Sequence, residues 1–257
     1  MIENITEHTN LSTTLNQPVL SVEHLYKSFG KNKVLVDFSV ELYKAETVVV
    51  LGKSGSGKSV LIKCIIGLLA PDSGNITLLG KRINDIKEDE LDKIRAKAGF
   101  LFQSNALYDS MTVKENLEFP LRRHWIKASQ AEVNQMVEDA LTDVGLQHTI
   151  NMMPAELSGG MRKRIALART LILKPEIILY DEPTTGLDPI TAREIIELIK
   201  SIQVKYKTSS LVISHDMNCV KNASNRVVIL IDGRCYANGT YAELLESQDP
   251  RIKQFFE

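Results

Sequence analysis

The sequence predicts an α/β fold in which parallel strands form a core sheet and a helical region is inserted. Short runs of β-branched and aliphatic residues, such as Thr47–Leu51 and Ile177–Tyr180, alternate with helix-forming stretches, which favours buried parallel strands. Between about residues 103 and 156 the β-branched runs disappear and apolar residues recur at helical spacing. A chain of 257 residues has room for one such domain with an inserted lobe, but not for two.

The composition is that of an ordinary globular protein, with 44% hydrophobic and 25% charged residues. The 31 basic and 32 acidic residues leave a net charge of −1, so we expect no nucleic-acid partner. Three cysteines (Cys64, Cys219 and Cys235) lack metal-ligand spacing and favour a reducing compartment, with Cys64 buried in a helix. We expect no secretory signal and no membrane span, since no apolar run approaches about 18 residues.

The first half of the chain predicts strands around one apolar helix. Residues 1–18, rich in Thr, Asn, Ser and Gln, predict a flexible tail. Strands begin at Val19, and in 34–42 the alternation places Val34, Val36 and Phe38 on the buried face. The further predicted elements are a buried helix from Val60 to Leu69, a strand from Asn75 to Leu79, a helix over 88–98 and a strand over 99–102.

The second half begins with helices. Ser129 and Glu132 form a capping box before an aliphatic stripe that predicts ordinary core packing. Asp188-Pro189 opens another helix, and Asp232-Gly233 predicts a hairpin turn. Strands are predicted at 177–180, 211–213 and 226–231, and Thr240 with Glu243 caps a last helix, so that 241–257 is a C-terminal helix and tail.

A phosphate-binding loop follows the first buried strand. Its eight residues match G-x-x-x-x-G-K-[ST] without a mismatch: Gly52, Lys53, Ser54, Gly55, Ser56, Gly57, Lys58 and Ser59. Three glycines allow positive φ, so that backbone N–H groups can surround phosphate oxygens at a helix N-terminus. Lys58 is expected to meet the β- and γ-phosphates and Ser59 to bind Mg²⁺. The alternative is a plain glycine turn, but strand, loop and helix occur in the order required to bind a nucleoside triphosphate.

Two carboxylates follow the second buried strand. Asp181, at the strand end facing the phosphate loop, is a candidate Mg²⁺ ligand. Glu182 is positioned to orient or deprotonate an attacking water. The alternative interpretation is an exposed acidic turn before Pro183.

The stretch Leu157–Met161 combines a helix cap with two glycines. Ser158 is expected to cap a helix, although Gly159 and Gly160 in the first turn cost about 1 kcal/mol each relative to alanine. Such a cost is easier to understand if a ligand approaches the bare backbone. The basic run 162–164 that follows is interpreted as a solvated helix face.

With these motifs, the chain resembles the nucleotide-binding subunit of an ATP-binding-cassette (ABC) transporter. The motifs occur in that family's order over about residues 19–240: the phosphate loop, Gln103, Leu157–Met161, Ile177–Glu182, Thr185–Asp188 and His215. The resemblance implies a P-loop NTPase (RecA-like) core with an antiparallel β subdomain and an inserted α-helical subdomain over about 103–156. It also implies ATP hydrolysis with ATP and Mg²⁺ as cofactors.

The resemblance assigns further roles to single residues. It implies that Phe29 stacks on adenine, although a core phenylalanine is the alternative. Gln103 is implied to contact Mg²⁺ and the attacking water. His215 is implied to bond the γ-phosphate and hold Glu182, although a structural histidine is the alternative.

The same resemblance implies a head-to-tail homodimer. Ser158, Gly159 and Gly160 are implied to bind the ATP held by the partner subunit. The resemblance adds a role for Asp188 across the dimer interface; the alternative is a helix N-cap alone, and the two roles are compatible. Met161 stands where the family usually has Gln, and a thioether cannot donate an amide's hydrogen bonds.

Softer matches relate the chain to the lipid-asymmetry (Mla/Mkl-type) ATPases that work with MCE-domain proteins. These matches are Asn105–Val113, Phe119–Arg122 and Met161 at the end of the signature segment, Leu157–Met161. They imply phospholipid transport at the cytoplasmic face of the inner membrane, through an MlaE-like permease docking near Asn105–Arg122. An MCE-type lipid-binding protein and a small regulatory subunit are further implied partners. The alternatives are an importer of small solutes such as methionine, and an ABC scaffold that transports nothing.

Overall fold

The computed structural model describes residues 17–124 and 126–257, so most of the tail predicted for residues 1–18 lies outside the described residues. The strands are β1 (Leu20–Phe29), β2 (Asn32–Leu42), β3 (Thr47–Leu51), β4 (Ser73–Leu78), β5 (Lys81–Arg82), β6 (Ala98–Leu101), β7 (Ile177–Asp181), β8 (Ser209–Ser214), β9 (Arg226–Ile231) and β10 (Arg234–Gly239). The helices are α1 (Lys58–Ile65), α2 (Glu88–Lys97), α3 (Val113–Arg123), α4 (Gln130–Asp143), α5 (Gly159–Leu171), α6 (Pro189–Tyr206), α7 (Met217–Ala223), α8 (Tyr241–Leu245) and α9 (Pro250–Lys253).

Two sheets organise these elements. The larger has the strand order β10-β9-β3-β8-β7-β6, in which all neighbours are parallel except β10 and β9. The smaller is antiparallel, with the order β2-β1-β4-β5. The predicted α/β fold, with a parallel core sheet and a separate antiparallel sheet, is confirmed.

The parallel sheet is buried on both faces, which explains its unbroken apolar strands. In β3, Val48 and Val50 pack with α1 and the antiparallel sheet, whereas Val49 and Leu51 pack with α6 and α7. Because successive side chains of a strand point to opposite faces, one short run fills two cores. The β-branched and aliphatic signal in the sequence reflects this double burial.

The predicted alternation in β2 is wrong at the start of the strand. Leu35 is buried there, whereas Val34 and Val36 are only half-buried. Asp37 has a φ of 57°, and opposite β1 the pairing shifts from Leu25↔Phe38 to Lys27↔Leu35. The extra residue in β2 is a β-bulge, and a bulge exchanges the faces of the residues before it.

Helix α1 ends four residues earlier than predicted, at Ile65. Gly67 takes a φ of 73° and donates its N–H to Cys64 O at 3.0 Å, while Leu68 N bonds Lys63 O at 2.9 Å. This is the glycine-dependent helix stop expected of a left-handed residue just past the C-terminus. Leu68 is consequently exposed rather than part of a buried helix.

Helices α3 and α4 lie between β6 and β7 and share a third apolar core with α5. The predicted capping box at the start of α4 is present, with Ser129 accepting from Glu132 N and Glu132 accepting from Ser129 N. Helix α5 lies after residue 156 in the sequence but contributes Ile165, Ala168 and Ile172 to this core. It also packs on the parallel sheet, so it connects the helical region to the core.

The end of the chain follows the predicted turns. Asp232 and Gly233 both have positive φ, as a tight hairpin between β9 and β10 requires. The predicted box of Thr240 and Glu243 caps α8, and a short helix α9 follows. Cys64 is buried as expected, and burial raises its pKa to about 11. Within residues 17–124 and 126–257, no helix is both long and apolar enough to cross a bilayer.

Candidate functional site

The site lies at the edge where the parallel strands β3, β6, β7 and β8 end, and its base is the loop between β3 and α1. Gly55 and Gly57 adopt φ of 77° and 101°, and Gly57 is the N-cap of α1. Gly52 is not left-handed, so positive φ is confirmed for two of the three loop glycines. Gly52 is needed for lack of space rather than for its φ, since a Cβ there would lie 2.7 Å from Ser56 Oγ.

The loop interior suits an anionic ligand. Ser56 Oγ is buried and has no hydrogen-bond partner among residues 17–124 and 126–257. The unsatisfied N–H groups at the start of α1 lie at the same end of the loop. An orphaned hydroxyl beside a helix N-terminus is the environment that phosphate oxygens require.

Lys58 brings a buried positive charge to the loop. Its Nζ donates to Gly52 O at 2.8 Å and to Lys53 O at 3.1 Å, and it lies 3.5 Å from Glu182 Oε1. The side chain is 5% exposed. A buried ammonium in this position is stabilised by the carbonyls and the carboxylate, and it is close enough to contact phosphates in the loop.

Ser59 and Asp181 place two hard oxygen ligands side by side. Ser59 Oγ donates to Asp181 Oδ1 at 3.0 Å, joining the start of α1 to the end of β7. Burial raises the pKa of Asp181; the Ser59 hydrogen bond opposes this shift, and the charge of Glu182 adds to it. No group of three or more His, Cys, Asp and Glu side chains among the described residues could hold a metal. Mg²⁺ needs only one or two protein oxygens when phosphates and water complete its shell, so this pair fits it.

Glu182 is held firmly in a strained backbone position. It has a φ of 51°, and its N–H donates to Ile213 O at 2.9 Å. One carboxylate oxygen, Oε2, accepts from Thr185 Oγ1 at 3.1 Å and lies 2.8 Å from His215 Nδ1. Glu182 is buried, which excludes the exposed acidic turn considered from the sequence. Left-handed geometry in a non-glycine residue has an energetic cost, so the surrounding contacts must hold Glu182 in this position.

Gln103 lies at the same edge, two residues after the end of β6. Gln103 is exposed to solvent, and its backbone carbonyl oxygen accepts a hydrogen bond from Lys163 Nζ at 2.9 Å. Leu101 pairs with Tyr180, so Gln103 lies beside the end of the strand that carries Asp181. The topology therefore brings Gln103 to the same edge as the carboxylates.

Lys163 is a site residue that the sequence interpretation missed. The solvated face expected for residues 162–164 is wrong at its centre, because Lys163 is 2% exposed. Burial lowers its pKa to about 8, and the charge of Asp181 opposes that shift. The signal was available, because Lys163 lies three and four residues before the buried Ala166 and Leu167.

The signature segment begins α5 and faces outward. Ser158 accepts from Met161 N at 3.2 Å, so the predicted cap is confirmed. A Cβ on Gly160 would lie 2.5 Å from Thr191 Cγ2, which gives this glycine a packing reason within the chain. A Cβ on Gly159 would meet only Leu187, at 3.9 Å, so the space in front of Gly159 is open. Met161 packs against the apolar core of the helical region, where its thioether is better suited than the polar amide of a Gln.

Phe29 and Asp188 take positions that bear on their predicted roles. Phe29, at the end of β1, is 51% exposed, which excludes the core alternative. Lys27 Nζ lies 5.5 Å from its ring centroid. Asp188 caps α6 by accepting from Ile190 N and Thr191 N, so the cap role predicted for it is confirmed.

A cavity of about 580 Å³ opens beside the phosphate loop, between β2 and the end of the chain. Its walls include Val34, Lys53, Ser56 and Gln254. Lys53 Nζ donates to Gln254 Oε1 at 2.8 Å, a contact between the loop and the C-terminal segment that the sequence did not indicate.

A protein-family profile described as ABC transporter matches residues 35–185, more than half of the chain. The intermembrane phospholipid transport system ATP-binding protein MlaF of Haemophilus influenzae is 37% identical, over 94% of this chain and 91% of its own. The probable ribonucleotide transport ATP-binding protein mkl of Mycobacterium leprae is 39% identical, over 92% and 68%. The methionine import ATP-binding protein MetN of Campylobacter jejuni is 34% identical, over 92% and 75%.

The fold also has a close structural counterpart. The dimeric post-hydrolysis structure of the ATP-binding cassette MJ0796 bound to ADP and Pi superposes with a TM-score of 0.78. It is 33% identical in sequence, and the match covers 86% of this chain and 98% of the cassette.

Proposed function

Because this chain belongs to the ABC transporter family and is one of its ATPases, we propose that it powers phospholipid transport through a separate membrane permease. ATP binding and hydrolysis follow from the family. The cargo, the permease and the roles of single side chains constitute the proposal. We also take residues 19–240 as the ATPase unit, with 241–257 as its C-terminal helix and tail.

The observation that carries the catalytic proposal is the contact of buried Glu182 with buried Lys58 and with the exposed His215 beside the phosphate loop. The loop N–H groups and Lys58 hold the phosphates. Ser59, Asp181 and Gln103 hold Mg²⁺, which when bound neutralises charge that develops on the phosphates.

Glu182 acts on the attacking water. His215 and Thr185 both contact Oε2, whereas Oε1 lies 3.5 Å from Lys58 Nζ on the side of the phosphate loop, so Oε1 is the oxygen that accepts a proton or orients the water. The strained φ of Glu182 fixes the direction of this carboxylate. His215 is exposed enough to reach the γ-phosphate from the same position.

The proposed site is completed by a second copy. Ser158 is exposed and Gly159 has open space before it, so the segment Ser158–Gly160 can approach the ATP of a partner subunit. The dimeric MJ0796 cassette supports this arrangement. Phe29 supplies an exposed aromatic face for adenine.

A permease is proposed to dock between the core and the helical region. A cavity of about 230 Å³ lies there, lined by Leu68, Phe100, Phe102 and Pro120 among others. Leu68 is a large apolar side chain exposed in its wall, and Tyr108, in the predicted docking stretch, is exposed as well. This groove includes part of the predicted docking stretch Asn105–Arg122. Through the permease the chain lies at the cytoplasmic face of the inner membrane, with an MCE-type protein and a small regulatory subunit as further partners.

The phospholipid cargo is supported by the MlaF relative, which aligns along 91% of its length. The second candidate is a small-solute importer, which the MetN relative favours at 34% identity. The test is to purify the native membrane complex in detergent and identify its proteins and lipids by mass spectrometry. Co-purifying phospholipid with an MCE-domain protein supports lipid transport, whereas a soluble substrate-binding protein without lipid supports the importer.

A functional assay tests phospholipid transport itself. The complex is reconstituted with vesicles that contain fluorescent phospholipid, and transfer is followed with and without ATP. A complex carrying Glu182→Gln is the matched control without hydrolysis. ATP-dependent transfer that is lost in this control supports the proposal. A Glu182→Gln variant that still supports the cellular phenotype would indicate a scaffold.

A further inference from the structure

The segment that follows β6 has an unusual backbone. Asn105 and Ala106 adopt consecutive positive φ values of 65° and 50°. Residues with a Cβ adopt this left-handed conformation at an energetic cost, and alanine has no side-chain hydrogen bond to offset it. Such a conformation persists only where the surroundings impose it.

Two cationic side chains of α5 impose it. Lys163 Nζ donates to Gln103 O at 2.9 Å. Arg169 donates to Asn105 O at 3.0 Å and to Ala106 O at 2.8 Å. Three carbonyls of one short segment therefore accept charge-assisted hydrogen bonds from a single helix.

The later part of the segment is fixed to α3 instead. Asn116 is fully buried, and its amide nitrogen donates to the carbonyls of Tyr108, Met111 and Thr112 at 3.0–3.1 Å. Its amide oxygen accepts from Tyr108 N at 2.9 Å. The guanidinium of Arg169 also lies 5.9 Å from the Tyr108 ring centroid. Hydrogen bonds thus attach residues 103–106 to α5 and residues 108–112 to α3.

We propose that Lys163 and Arg169 are positioning residues for Gln103. Lys163 attaches the backbone of Gln103 to the helix that begins at Ser158, and Arg169 attaches Asn105 and Ala106 to the same helix. A displacement of α5 then moves Gln103 relative to the carboxylates at the end of β7. This inference rests on the proposed contact of Gln103 with Mg²⁺ and the attacking water.

The choice of lysine at position 163 supports a specific role. A buried ammonium loses its hydration, and an apolar side chain of similar volume would fill the same space at lower cost. Lys163 is 2% exposed, and it uses its charge on the carbonyl of the one residue in the segment with a proposed catalytic contact.

Lys163→Met in the full-length chain tests the role. Because a small misplacement of a reacting group can lower rates about 100-fold, we expect kcat for ATP to fall at least about tenfold. The dissociation constant for ATP should stay within about twofold, and the melting temperature should not fall. Amide exchange at Asn105, whose N–H bonds Phe102 O at 3.1 Å, should accelerate. Lys200→Met, on the exposed face of α6, is the matched control.

A double-mutant cycle with Gln103→Ala separates positioning from simple structural support. Gln103→Ala keeps the carbonyl but removes the side chain, so Lys163→Met should cost little further activity in that background. Additive losses would overturn the inference. A normal kcat in Lys163→Met together with a reduced kcat in Gln103→Ala would overturn the positioning role of Lys163 but leave the proposed role of Gln103 intact. A normal kcat in Gln103→Ala would overturn the proposed role of Gln103 itself.

Lys163→Gln, which keeps a donor on a shorter side chain, is measured in parallel. It should lie between the wild type and Lys163→Met in kcat and in exchange at Asn105. If Lys163→Met does not fold, Lys163→Gln alone decides the question, and wild-type values for it would contradict the inference.

Discussion

At the scale of single residues, the molecule gathers buried charge where β7 and β8 end. Lys58, Asp181 and Glu182 are each less than a tenth exposed, and each has a partner of opposite charge or a hydroxyl donor. Buried charges are tolerated only when they are paired in this way. Their concentration beside a phosphate loop is the structural reason to assign hydrolysis to this edge of the sheet.

Glu182→Gln tests the water-activating role directly. An amide keeps the shape and the contacts at Oε2 but cannot take a proton, so kcat should fall at least about 100-fold while ATP binding is retained. Without hydrolysis the ATP-bound dimer should accumulate. Phosphate release and light scattering in ATP measure the two effects, with Glu197→Gln on an exposed surface as the control. A normal hydrolysis rate would remove Glu182 from this role.

Phe29→Ala tests the adenine contact. Aromatic stacking on a base contributes about 1–3 kcal/mol, so nucleotide affinity should fall about 5- to 160-fold. Because Phe29 is half exposed, folding stability should change little. Titration with a fluorescent ATP analogue measures the affinity, and Phe29→Trp should restore it. Unchanged affinity in Phe29→Ala would place the base elsewhere.

Some residues of the site could be predicted from the sequence and others could not. Gly52–Ser59, Asp181 and Glu182 could be found because the chemistry of phosphate and Mg²⁺ demands those types in order. Lys163 was misjudged because charge was given more weight than helical spacing. The Lys53–Gln254 contact joins positions about 200 residues apart, and local pattern carries no such information.

At the scale of elements, local rules succeed where the signal is local. The capping boxes at Ser129 and Thr240 have the predicted contacts, since all their atoms lie within four residues. The bulge in β2 depends on its partner strand β1, so the period of the sequence alone placed Val34 on the wrong face. The early end of α1 was marked by Gly67, but the apolar run beyond it concealed the stop.

The box at the start of α4 predicts a stability change. Ser129→Ala removes the acceptor for Glu132 N and should reduce the free energy of unfolding by about 1 kcal/mol. Urea unfolding at pH 7 measures the loss. No change would show that α4 is held by its core contacts alone.

The same box has a pH dependence with a defined sign. The backbone hydrogen bond from Ser129 is the main cause that lowers the pKa of Glu132 below 4.5. A lowered carboxylate pKa gives stability that is present above the unfolded value and is lost as pH falls through the folded value. Glu132→Gln should therefore be less stable than wild type at pH 7, and the difference should vanish near pH 3. Glu138→Gln, exposed on the same helix, is the control.

At the scale of the whole molecule, the order of elements could be predicted from local sequence patterns, whereas the proposed homodimer was inferred from the family resemblance alone. Alternating strands and helices predict a parallel core sheet, and both faces of that sheet are filled as expected. A partner subunit leaves only indirect traces in one chain. The clearest is Gly159, whose open surroundings give no reason within the chain for the missing side chain.

The central claim is that each ATP site is shared between two copies of the chain. The phosphate loop of one copy and Ser158–Gly160 of the other can then be inactivated by separate substitutions. Lys58→Ala disables the loop, and Gly159→Asp places a negative charge against the partner's phosphates. Gly159→Asp should still fold, because its side chain meets open space and an acidic residue is favourable at a helix start.

Mixing the two inactive variants is the most direct measurement. In a head-to-tail dimer, the Gly159→Asp copy supplies an intact loop and the Lys58→Ala copy an intact signature, so one of the two sites is complete. We predict that each variant alone lacks ATPase activity and that the mixture regains it. If the mixture stays as inactive as its components, the site is not shared between subunits and the account is contradicted.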